Sequence, residues 1–78
     1  MPRFFFNLRN EISVEDKEGQ DLPDSDRARE VAVHHARGIM SEDVKDGRLV
    51  LRDEIDVVDE QGETILTLAF RDAIDIEE

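Results

Sequence analysis

The sequence predicts an α+β domain in which strand, strand, helix, strand and strand follow one another, the strands forming an antiparallel sheet with one helix packed on one face. Three patterns predict it. Apolar residues alternate through positions 3–8, they recur at intervals of three and four between Ala28 and Ile39, and two alternating runs flank the turn-forming segment Asp59-Glu60-Gln61-Gly62.

The first strand, over residues 3–8, sets Phe4, Phe6 and Leu8 on one side and Phe5 and Asn7 on the other. A weaker second strand is expected over residues 11–15, where Ile12 and Val14 alternate with polar neighbours before Gly19 supplies a turn. Pro23 then keeps Leu22 extended, and the cluster Asp24-Ser25-Asp26 offers a cap for the first free amides of a helix. From residue 26 to about residue 44 one apolar stripe is formed by Ala28, Val31, Ala32, His35, Ala36 and Ile39, with charged residues on the rest of the surface. Gly38 weakens the middle of this helix by about 1 kcal/mol relative to alanine, and close approach to a strand or a partner is the use expected of it. Asp46-Gly47 ends the helix, the glycine taking the left-handed conformation.

Residues 48–58 and 63–70 read as a hairpin. A four-residue loop over residues 59–62 sets Val58 opposite Glu63, Ile55 opposite Leu66 and Val57 opposite Thr64. A three-residue loop shifts the pairing by one and sets Leu66 against Asp56 and Leu68 against Glu54, burying carboxylates or exposing leucines, so the four-residue loop is preferred. Residues 71–78 hold enough apolar character, in Ala73, Ile74 and Ile76, for a short strand or helical turn.

A chain of 78 residues hides only about 60% of the surface its unfolded form exposes, so its core is thin. It has no cysteine for a disulfide, and two histidines do not make a structural zinc set, which leaves self-association as the expected reinforcement. With 21 acidic and 10 basic residues the formal charge is −11, a field that repels phosphates and disfavours direct binding of nucleic acid or an acidic membrane. No apolar stretch approaches a signal-peptide core or a membrane span, and a cytoplasmic location is expected.

Met1-Pro2-Arg3-Phe4-Phe5-Phe6, the Gly-x-x-Leu-Pro-Asp run at residues 19–24, the Asp-x-x-Gly turn at 59–62 and Phe70-Arg71-Asp72-Ala73 occur together here. In that combination the chain resembles a family of small bacterial domains of unknown function, common in alphaproteobacteria, that open with Met-Pro-Arg and an aromatic run. The resemblance implies no activity and no site residues. A looser likeness, in outline only, is to HicB-like antitoxin domains, in which strands and a Leu-Pro segment lead into a helix.

No catalytic, cofactor-binding or metal-ligating residue is assigned. His34 and His35 are adjacent and point about 100° apart on a helix; Glu30 and His34 are spaced to share a metal, but no third ligand has an obvious source. His35 is expected as a core or interface histidine and His34 as a surface one. The carboxylates Asp53, Glu54, Asp56, Asp59 and Glu60 lack the spacing of a calcium loop and read as a solvated face. There is no nucleophile elbow and no phosphate loop. Arg3 and Arg9 are the only cations near the phenylalanine run, so core packing of Phe4 and Phe6, with Phe5 at an interface or partly exposed, is preferred to a base-stacking platform.

One helix covers one sheet face, which leaves Phe5, Val58, Ile65 and Ala69 on the other as a candidate interface. The function expected is that of a non-enzymatic protein-interaction module, without cofactor, homodimeric or bound to another protein through that face or an edge strand. The alternative is an acidic nucleic-acid mimic or antitoxin-like inhibitor of a basic protein.

Overall fold

The aromatic run opens the sheet. In the computed structural model, which describes residues 1–78, the elements are β1 (Arg3–Arg9), β2 (Gln20–Asp21), α1 (Ser25–Lys45), β3 (Glu54–Val58), β4 (Thr64–Ala69) and a 3-10 turn at Phe70–Ala73. The sheet runs β2-β1-β3-β4 with every pair antiparallel. This is the α+β, strand-strand-helix-strand-strand order the sequence predicts.

Helix α1 begins where the cap residues place it. The Asp24 carboxylate accepts from the Arg27 amide at 2.8 Å, and Asp26 stands in the first turn, where negative charge is favoured. At the other end Arg48 N–H donates to Asp43 C=O and Gly47 N–H to Val44 C=O, a Schellman pair made possible by the Gly47 φ of +89°. Along the inner face Ala28, Ala32, Ala36 and Met40 recur every four residues and are buried. Against this stripe the sheet sets larger groups: Phe4 and Phe6 from β1, Ile55 and Val57 from β3, and Leu68 from β4, with Phe70 and Ala73 of the 3-10 turn closing one side. The division of labour is small on the helix and large on the sheet, and it lets one helix pack closely over the middle of one face.

The second strand lies later than the sequence pattern predicts. Residues 11–15 form no strand; they contribute a single bridge, Val14 to Leu8, and Ile12 is 76% exposed. The strand is instead Gln20–Asp21, paired with Phe4 and Arg3. The alternation of Ile12 and Val14 buries neither side chain, since Val14 is 54% exposed and meets β1 only through its backbone pair with Leu8. Between the bridge and β2 the carboxylate of Asp16 replaces the missing strand. It accepts from the amides of Phe6 (3.1 Å), Gly19 (3.1 Å) and Glu18 (3.0 Å), while its own amide donates to Asn7 Oδ1 at 2.9 Å. Gly19, at φ +71°, closes this loop against β1 so tightly that a Cβ there would meet Phe4 C=O and the Phe5 ring at 2.9 Å.

The hairpin register also differs from the expected one. Glu60, Gln61 and Gly62 make a three-residue loop: Asp59 N–H donates to Glu63 C=O, Gly62 N–H donates to Asp59 C=O, and Gly62 takes φ +83°. That loop alone would turn the leucines outward. A bulge corrects it, since Val58 pairs with Thr64 but Val57 pairs with Leu66, leaving Ile65 without a partner. Ile55 then faces Leu68 instead of Leu66, and the apolar faces stay in phase. Of the expected strand over residues 48–58 only β3 is regular; Val50 and Asp53 are buried in the irregular lead-in, and Asp53 C=O accepts from the Phe70 amide at 2.9 Å.

Burial pushes the Asp16 carboxyl up, but the three amide donors, together with nearby His35, outweigh it and hold the group below the usual carboxylate range. A carboxyl lowered by folding contributes stability above its unfolded value of about 3.9 and loses it as pH falls through the folded value. Asp16→Asn has one acceptor oxygen in place of two and is expected to cost about 1–2 kcal/mol at pH 7. Urea melts of the two proteins should show this gap closing below about pH 4; a gap independent of pH would refute the assignment.

Candidate functional site

On the face that α1 leaves open, the four residues singled out from the sequence fall toward two ends of the sheet, Phe5, Val58 and Ile65 at one and Ala69 at the other. Phe5 and Val58 are cross-strand neighbours and half-buried, with the Phe5 ring resting beside Gly19. Ala69 lies opposite Glu54, farther along the ladder, and Ile65 is the bulged residue, 38% exposed. Between the two ends runs a polar row of Asn7, Asp56 and Thr67. Arg9 reaches Glu54 at 2.8 Å and Asp56 at 3.1 Å, and the Thr67 hydroxyl donates to Asp56 at 2.7 Å. The hydrogen bond and charge of Asp56, with Glu54 beside it, push the Arg9 guanidinium still higher than usual.

Several carboxylates are paired within the chain. Asp59 accepts from the amides of Gln61 and Glu63 within its turn, Glu60 accepts from the Arg3 amide at 3.0 Å, and Glu30 pairs with Arg27 at 2.7 Å. His34 is exposed; His35 is half-buried, its ring edge-on to Phe6 at a centroid distance of 5.2 Å. No three of these side chains gather into a metal-binding group.

Two other features stand out. The first is the free edge of β4. Its sequence, Thr64-Ile65-Leu66-Thr67-Leu68-Ala69, carries no charge and no proline, and no backbone or side-chain hydrogen bond within the chain reaches the amides and carbonyls on its outer side. The opposite edge is different, because β2 is only two residues long and its outward Asp21 is locked to Arg3 at 2.9 Å.

The second feature is a groove of about 570 Å³ between α1 and β1, with Phe6, Leu8, Ile39 and Ile55 in its wall, the two histidines toward one end, and Glu42 and Asp43 toward the other. Gly38 lies in its wall. The close approach to a strand expected of Gly38 does not occur: nothing lies within 4 Å of the place a Cβ would take.

Residues 3–71 match the family described as a domain of unknown function (DUF6894). The chain belongs to this family. No curated protein and no solved structure matches it. The membership agrees with the small domain of unknown function that the aromatic opening and the Leu-Pro-Asp segment resemble. No helix of this DUF6894 domain is long and apolar enough to cross a membrane.

Sequence reasoning named the open face but not the groove, although its signal was present. Gly38 is the single residue of α1 that breaks the helix-forming pattern without ending the helix. In this DUF6894 domain Gly38→Ala meets no obstacle and removes the glycine penalty of about 1 kcal/mol. The expected result is a rise in Tm of roughly 4–8 °C, read by circular dichroism; an unchanged or lowered Tm would contradict the open space described.

Proposed function

We propose that this DUF6894 domain is a non-enzymatic protein-interaction module that pairs, through the free edge of β4, with a second copy of itself. One observation carries the reading: β4 is a six-residue uncharged strand whose outer backbone groups have no partner. Natural edge strands are commonly guarded by lysine, proline or a covering loop, and β4 has only its bulge. Antiparallel pairing of two identical edges about a two-fold axis satisfies these groups with the same residues from both sides, so no second kind of surface is required. A joined sheet also supplies the reinforcement that a thin core without disulfides lacks.

Charge sets the direction of the salt effect. Each copy carries −11, so the copies repel at low salt and the pairing strengthens as salt screens them. Sedimentation velocity at micromolar concentration is expected to show a dimer that tightens with salt. Ile65→Lys, which places a cation beside the paired edge, should shift the dissociation constant at least tenfold toward monomer. Phe5→Asp, on the open face, should not. A wild-type monomer at all concentrations refutes the proposal, and dissociation by Phe5→Asp alone would move the contact to the open face.

A further inference from the structure

We infer that the groove between α1 and β1 is a docking site for a partner protein's peptide segment that carries an apolar anchor flanked by lysine or arginine. The inference shares with the preceding section only the idea that the domain acts by contact. It concerns a different surface and stands whether or not β4 pairs.

The two flanks of α1 are treated unequally. On one, Arg37 Nε donates to Ala73 C=O at 2.7 Å and the 3-10 turn packs Phe70 and Ala73 into the core. On the other nothing covers the helix, and the groove opens there over Phe6, Leu8, Ile39 and Ile55. Gly38 gives the second, independent observation. A glycine inside a helix is costly, and its usual reasons are absent: its φ is not positive, and no atom of the chain approaches the space its missing Cβ leaves. An occupant pressed against the helix backbone uses that space.

Charge selects the occupant. No lysine or arginine lines the groove, while Glu42 and Asp43 do. The Asp43 carboxylate has no hydrogen-bonding or ionic partner, and Glu42 holds Lys45 only at 3.4 Å, with both side chains largely exposed. Within a chain of charge −11, these two carboxylates attract a cation beside the apolar floor and repel phosphates or an acidic peptide.

A phage-displayed random dodecapeptide library panned on the wild-type domain, with binders counter-screened on Gly38→Leu, tests this directly. The expected consensus is an apolar residue next to lysine or arginine. Synthetic peptides of that consensus should shift the amide resonances of Leu8, Gly38, Ile39 and Glu42. Gly38→Leu, used once circular dichroism and Tm establish that it is folded, should bind at least tenfold more weakly. The double variant Glu42→Gln, Asp43→Asn, which leaves the apolar wall intact, should lose about tenfold in affinity together with most of the salt dependence. Binders without cations, binders that hold Gly38→Leu equally well, or no consensus at all would overturn the proposal. So would shifts of the same amides with protein concentration alone, which would seat a second copy of the chain in the groove.

Discussion

The whole architecture depends on the contact between the alanine stripe of α1 and the larger side chains beneath it. Ala28, Ala32 and Ala36 are fully buried, and Phe4, Phe6, Val57, Leu68 and Phe70 supply the volume around them. Because the middle of the helix presents methyl groups, the sheet's aromatic and branched residues fill the layer between. Burying each such side chain is worth about 1.5–3 kcal/mol. The cost of this arrangement appears at the flanks, where a narrow stripe of alanines leaves gaps. One is filled by the 3-10 turn, and the other is the groove beside Gly38.

Much of the fold was legible because it rests on patterns that burial enforces. The alternation of Phe4, Phe6 and Leu8, the recurrence at three and four on α1, the cap within Asp24-Ser25-Asp26 and the Gly47 stop all reflect local chemistry and were placed within a residue or two, although Met40, which ends the buried row, was not named. Elements held by backbone pairing alone were not legible. Gln20 and Asp21 are exposed, so β2 has no apolar signature, whereas Ile12 and Val14 display one without being buried. The hairpin shows a subtler failure. A glycine closing a three-residue loop was visible at position 62, but the argument against that loop assumed an unbroken ladder, and the bulge at Ile65 restores the phase by another route. For the surface, parity placed Phe4, Phe6, Ile55, Val57 and Leu68 on the buried side, but it set Thr64 opposite Val57, where the bulge pairs it with Val58. It did not foresee that Arg9, Asp56 and Thr67 would interrupt the open one.

Charge is distributed to the same effect. Charged residues make up 40% of the chain, and the pairs they form with one another are exposed and individually weak. The free side of β4 and the apolar wall of the groove are where charge thins. Asp16 illustrates a different use of a carboxylate: between β2 and the Val14–Leu8 bridge it accepts from the one β1 amide, Phe6, that neither pairs, and from the amides of Glu18 and Gly19 in its own loop.

The unequal margins of the sheet limit how far any assembly of these molecules can grow. Polymerisation by strand addition needs two sticky ends on every unit. Here one end is stoppered by a carboxylate knot, a tightly packed glycine and a salt-bridged aspartate, while the other stays open. A building block of that kind behaves like a domino with one nearly blank half: if two open margins meet, the margin left on each unit is the two-residue β2, too short to template a long ladder.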